Sequence, residues 1–230
     1  MFCIKTKKRK SSNIHPNIFI ILQTLVLSQG RIFNFASKIM TDKLKEEVFK
    51  ATEILKQGGV ILYPTDTIWG LGCDATNEKA VKRIYEIKQR EDNKSMLVLL
   101  DDAGKIASYA DVPDIALQLI EVSDKPITII YSHARNLAPN LINAADQTIG
   151  IRITKEEFSK SLIFRFRKPI VSTSANISGH PSPGCYTEIS DEVKNAVDYI
   201  VDFRRGDKQK HTPSGIVKLD TDGTIQVIRK

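Results

Sequence analysis

Three short stretches of this chain concentrate side chains able to grip an anion. The first is YPTDTIWGLG, residues 63–72. Two threonine hydroxyls and a carboxylate follow an apolar run there, at the kind of strand end where α/β sheets present ligands. The second is IKQREDNK, residues 87–94, in which Lys88, Arg90 and Lys94 stand at the end of a helical pattern and lead toward the next apolar run. Cations there complement a helix dipole, and three beside a glycine-bearing loop could also hold a triphosphate, Arg as a bidentate fork and Lys as a mobile charge. The third is VSTSANISG, residues 171–179, with PSP at 181–183. Its short hydroxyl and amide side chains carry no charge and suit phosphate or ribose oxygens. Each stretch alone could be a capped turn or a solvated helix end. Their coincidence in one chain points to a binding site.

Other chemistries lack their signatures. There is no G-x-x-x-x-G-K-[ST] phosphate loop and no G-x-S-x-G nucleophile elbow. The histidines His15, His133, His180 and His211 have no metal-type spacing to each other or to cysteine. Gly70 to Ala75 matches G-x-G-x-x-A, but PTDTIW separates the glycines from the preceding strand and the next helix begins only near Asn77. A dinucleotide turn joins strand to helix directly, so these glycines read as a tight loop. Cys3, Cys73 and Cys185 form no C-x-x-C and no disulfide framework, which fits a reducing compartment and a cytoplasmic protein.

The elements that must position these loops follow from apolar spacing. Thr41 or Asp42 can cap a helix with Leu44, Val48, Ala51 and Leu55 on one face, ended by Gly58-Gly59. Val60–Tyr63 reads as a strand, Pro64–Gly72 as a loop, and Asn77 as the cap of a helix with Ala80, Ile84 and Ile87 inward. Met96–Leu100, Ile127–Tyr131, Thr148–Ile153 and Ile170–Thr173 read as strands, Pro113–Val122 and Thr187–Ala196 as helices. Tyr199–Phe203, Gly215–Leu219 and Thr224–Ile228 read as late strands, the last two joined through Asp222-Gly223 as a hairpin. Helices and strands interleave. The fold class is α/β, with a twisted mixed sheet and flanking helices.

Charge divides the chain in two. The net charge is +7, and residues 1–39 contain seven basic residues and no acid, so the remaining 27 basic residues balance all 27 acids after Met40. The basic KTKKRK, residues 5–10, precedes an apolar run, Ile18–Leu27, in the manner of a signal peptide. That run is too short to span a bilayer as a helix and lacks a small-residue cleavage site. Met40 stands before a clean helix start and reads as the initiator. Residues 1–39 then form a non-essential or spurious arm, and residues 40–230 the domain. The neutral domain offers no net excess of charge for a membrane or a nucleic acid.

Taken in order, PTDT-x-W-GLG, K-x-R with a further Lys, STSAN-x-SG, PSG-I-V and a terminal V-I-R resemble the YrdC-like family of L-threonylcarbamoyl-AMP synthases, over about residues 45–229. The resemblance implies a twisted α/β sheet around a concave cationic cavity, in a short single-domain bacterial type. It implies synthesis of threonylcarbamoyl-adenylate from L-threonine, bicarbonate and ATP with release of pyrophosphate, Mg²⁺ accompanying ATP and no tightly bound metal site in the protein. A separate transferase would then carry the group to adenosine 37 of tRNA.

Carried onto this sequence, the resemblance puts Thr67, Arg152, Ser172 and Ser214 at threonine. It puts Arg90, Lys94, Thr148, Ser174, Asn176, Ser182 and Arg229 at ATP. Lys88, Arg90 and Arg152 become the catalytic cations. Trp69 stands where the family usually has Tyr, Glu91 where it has Pro, and Leu99 where some relatives have a histidine. The competing reading is an RNA-binding module without chemistry, a concave cationic surface holding duplex RNA or tRNA by its phosphates.

Overall fold

The computed structural model describes residues 41–90, 96–220 and 223–230. The arm, residues 1–39, and Lys94 lie outside the described residues, as does Asp222 of the expected hairpin turn.

Helix α1 spans residues 41–56, with Leu44, Val48, Ala51 and Leu55 buried at the spacing the sequence sets. Gly58 ends it in the left-handed region, φ 78°. The strands are β1 (Ile61–Tyr63), β2 (Gly70–Gly72), β3 (Leu97–Leu100), β4 (Ile127–Tyr131), β5 (Ile149–Ile153), β6 (Ile170–Ser174), β7 (Tyr199–Ile200), β8 (Gly215–Leu219) and β9 (Ile225–Arg229). The later helices are α2 (Glu78–Lys88), α3 (Asp114–Val122), α4 (Glu157–Phe166) and α5 (Asp191–Ala196). Asn77 caps α2, its side chain accepting from the amides of Lys79 and Ala80.

The nine strands form one mixed sheet in the order β7-β1-β2-β6-β3-β5-β4-β8-β9. Successive side chains of a strand face opposite sides. Ile61, Tyr63 and Leu99 therefore pack with α1 and α4, while Leu62, Val98 and Leu100 pack with α2 on the other side. Apolar runs read as continuous because both faces are covered.

Two differences from the sequence reading bear on the site. Residues 70–72 are a strand, not loop: β2 pairs antiparallel with β1, Tyr63 opposite Gly70, so PTDTIW is the connection of a hairpin. Helix α4 was not anticipated, although Phe158, Leu162, Ile163 and Phe166 lie at helical spacing and are all buried. The final helix is also shorter than expected, since Tyr186–Glu188 forms a separate 3₁₀ turn before α5.

Candidate functional site

The hairpin connection is built by its own threonines. Thr65 Oγ1 accepts from the Thr67 amide at 3.1 Å, donates to the Ile68 carbonyl at 2.8 Å and lies 3.0 Å from Thr67 Oγ1. Both threonines are buried. This local bonding replaces strand pairing and turns Thr67 toward a cavity of about 220 Å³.

Strand β6 supplies the adjoining wall. It pairs with β2 through Gly70 opposite Ser174, and Ser172, Thr173 and Ser174 line the same cavity. Gly70 eases this approach: a Cβ there would stand 3.2 Å from the Thr173 carbonyl and 3.3 Å from Ser172 Oγ, close enough to press on both. The far wall comes from Pro213, Ser214 and Arg229. Arg229 Nε donates to the Ser214 carbonyl at 3.0 Å, and Ser214 Oγ lies 2.8 Å from Thr128 Oγ1.

Three guanidiniums, Arg90, Arg152 and Arg229, line this one cavity, and no carboxylate does among the described residues. Burial disfavours the charged forms of Arg90 and Arg229 and pushes both values down, Arg229 also by the charge of Arg152. Arg152 is almost fully buried, and its Nε has no hydrogen-bond partner. Its Nη2 stands 3.1 Å from Asp66 Oδ1, an ion contact without hydrogen-bond alignment. Burial raises the Asp66 carboxyl, with Arg152 pulling the other way. Such a lining is short of negative charge and suits an anion.

The structure thus gathers Thr67, Arg90, Arg152, Ser172, Ser174, Ser182, Ser214 and Arg229 around one space. Lys88 is not on that lining. Its ammonium is buried against the carbonyls of Ser174 and Asn176, at 2.6 and 2.7 Å, and fastens the STSAN turn to the end of α2. Burial, then the Arg90 charge, lowers its pKa to about 8. Thr148 also lies off the lining, its hydroxyl donating to Asp146 at 2.7 Å in the turn before β5. Asn176 lines a neighbouring cavity of about 500 Å³ that shares Ser182 with the first.

Sequence reasoning passed over Trp69 as a cavity wall. Its ring packs 4.9 Å from Tyr186, a partner 117 positions away that no local pattern could supply. It also passed over Asp66 as the counter-ion of Arg152.

The Sua5_yciO_yrdC family model, described as "Telomere recombination", matches residues 53–230. A threonylcarbamoyl-AMP synthase of Pseudoalteromonas translucida (strain TAC 125) is 35% identical over 156 residues, 66% of this chain and 83% of that protein. E. coli YciO shares the fold at a TM-score of 0.70 and 28% identity, over 80% of this chain and 88% of that one. P. abyssi Sua5 complexed with L-threonine superposes at a TM-score of 0.67 and 26% identity, over 75% of this chain and 50% of the longer Sua5 chain. With a single sheet, its paired β2–β6 wall and the family pattern all falling within the same stretch of sequence, this chain belongs to the Sua5/YciO/YrdC family.

Proposed function

We propose that the chain makes L-threonylcarbamoyl-adenylate from L-threonine, bicarbonate and ATP, releasing pyrophosphate. The observation that carries this reading is the cavity with three guanidiniums and, among the described residues, no carboxylate, walled by the hydroxyls of β6, in a family whose members include threonylcarbamoyl-AMP synthases and a protein crystallised with L-threonine.

The steps need no enzyme nucleophile. The threonine amine attacks bicarbonate, water leaves, and an N-carboxylate forms. A carboxylate oxygen then attacks the α-phosphorus of ATP, the new P–O bond forms, and the bond to pyrophosphate breaks. Two anions must be held together while charge builds on phosphorus, which positioned cations achieve in a water-poor site. In this proposal Thr67, Arg152, Ser172 and Ser214 hold the amino acid. Arg90, Ser174, Asn176, Ser182 and Arg229 face the nucleotide, with Lys94 joining from outside the described residues. Lys88 and Thr148 act from behind, Lys88 by fixing the STSAN turn and Thr148 by shaping the turn into β5. Mg²⁺ enters this proposal as part of the ATP substrate.

The proposal places the chemistry in residues 40–230 and none of it in residues 1–39. It also places the product upstream of a transferase that modifies tRNA, in the cytoplasm. No helix among the described residues is long and apolar enough to cross a membrane. The test is pyrophosphate release by the purified chain, with the adenylate identified by mass. Release that requires ATP, L-threonine and bicarbonate, and that fails with L-serine, supports the reading. A folded chain that releases none, yet binds RNA in a salt-dependent way, would shift the assignment to a binding module.

A further inference from the structure

Arg204 lies between β7 and β8, outside the cavity lining, and adopts a left-handed backbone conformation, φ 60°. A non-glycine residue stays there only when its surroundings hold it. Four groups do so. Its Nη1 donates to the Thr65 carbonyl at 3.3 Å and stands 3.7 Å from Glu156 Oε1. Its Nη2 donates to Asp207 Oδ2 at 3.0 Å and meets His211 Nε2 at 3.3 Å.

The four partners belong to three segments: the β1–β2 connection, the start of α4 and the stretch before Ser214. Thr65 fixes Thr67 through its hydroxyl. Asp207 and His211 belong to the segment that runs into Ser214, and the His211 amide donates to the carbonyl of Gly184, two residues beyond Ser182. Glu156 caps α4 by accepting from the Ser159 amide at 2.7 Å. One planar fork therefore joins the loops bearing Thr67, Ser182 and Ser214 to the body of the fold. A guanidinium can do this because its donors are rigidly splayed, whereas an ammonium offers a single point.

We infer that Arg204 is a positioning residue that sets the spacing of Thr67 and Ser214 across the cavity, and through it the affinity for the amino-acid substrate. The inference rests on the synthase reading above. It separates Arg204 from a residue that merely holds the fold, because the loops it bonds directly carry the amino-acid contacts Thr67 and Ser214, whereas Ser182 on the nucleotide side is reached only through the His211–Gly184 backbone bond and Arg90 and Ser174 are fastened elsewhere, through α2 and β6.

The test compares the full chain with Arg204→Gly, which removes the fork without straining the left-handed backbone, and with Arg204→Lys. Steady-state pyrophosphate release is followed with threonine and ATP varied in turn, and threonine binding is measured by calorimetry without ATP. Arg204→Gly is expected to raise the KM and Kd for L-threonine about tenfold, the scale of a lost hydrogen bond to a charged group. The KM for ATP should move by less than about twofold on the same scale, and Arg204→Lys should recover part of the loss. Equal changes toward both substrates, or no change toward threonine, overturn the inference while leaving the synthase reading intact. If Arg204→Gly does not fold, Asp207→Asn loosens the same fork, and an unaltered threonine KM in it is equally contrary. A wild-type chain that neither turns over nor binds threonine overturns both readings.

Discussion

Arg152 and Asp66 meet at 3.1 Å with side chains only 4% and 9% exposed, so a cation of the cavity wall is held by an acid that does not itself line the cavity. The pair links β5 to the β1–β2 connection, two elements far apart in the chain. Buried ion pairs respond unequally to removal of one partner or both, because a lone buried charge is the costly species.

Asp66→Asn leaves Arg152 buried without its counter-charge and is expected to lower stability by about 3–5 kcal/mol. Asp66→Asn combined with Arg152→Met removes the stranded charge and should recover much of that loss. Urea unfolding of the three chains checks this. A double variant no more stable than Asp66→Asn alone would show that the two groups do not act as a pair.

Lys88 gives a pH signature with a definite sign. Its value falls from 10.5 to about 8 in the fold, because burial and Arg90 oppose the ammonium. The folded chain thus binds fewer protons than the unfolded chain between these values. The Lys88 contribution is fully present above pH 10.5 and is lost as pH falls through about 8. Relative to Lys88→Met, the wild type should gain up to about 3 kcal/mol on going from pH 7 to pH 10.5. Parallel stability profiles for the two chains would contradict the lowered value.

The two glycines of β2 should fail differently when given a methyl group. A Cβ at Gly72 would meet Tyr63 Cε1 at 2.5 Å and the Val171 carbonyl at 2.9 Å, inside the core. Gly72→Ala should therefore cost about 1–3 kcal/mol by overpacking, seen as a lower urea midpoint. Gly70→Ala meets only looser neighbours, but one is the Ser172 hydroxyl at 3.3 Å. It should change stability less and threonine-dependent turnover more. The reverse ranking would move Gly70 from the site to the core.

These residues also show what the sequence made legible. The three polar stretches were visible because each follows an apolar element, two a strand and one the helix α2, and the β2–β6 pairing lays the first beside the third. What remained hidden depended on partners distant in the chain. Asp66 reads as one polar residue of a loop until β5 brings Arg152 to it. Lys88 reads in sequence as one of three cations at a helix end, and its bonds to the carbonyls of the STSAN turn appear only in the fold. Arg204 carries no motif at all, and its contacts span positions 65 to 211. Helix α4 is the exception, since its buried spacing was present in the sequence.

Arg90→Ala removes a cation that lines the cavity without being held there by the Asp66 contact. Under the proposed mechanism it stabilises charge that builds on phosphorus, where one such donor is worth roughly 10²-fold or more in turnover. The expected result is that loss with an unchanged melting profile. A folded variant with unaltered turnover removes Arg90 from the mechanism.

Trp69 offers a direct reading of whether the cavity is the site of binding. It is the chain's single tryptophan, it is 5% exposed, and it lines the cavity beside Thr67. Its ring already packs against Tyr186 at 52°, so it has little freedom to move and reports chiefly on what fills the space beside it. ATP or L-threonine entering the cavity displaces water from that edge and brings charge close to the indole. A saturable change in intrinsic emission is therefore expected with each substrate, with a midpoint that tracks its KM. Because no other tryptophan contributes, a distant conformational change cannot mimic the signal without reaching this wall. Turnover at saturating substrate with no change in emission would place the chemistry elsewhere in the molecule.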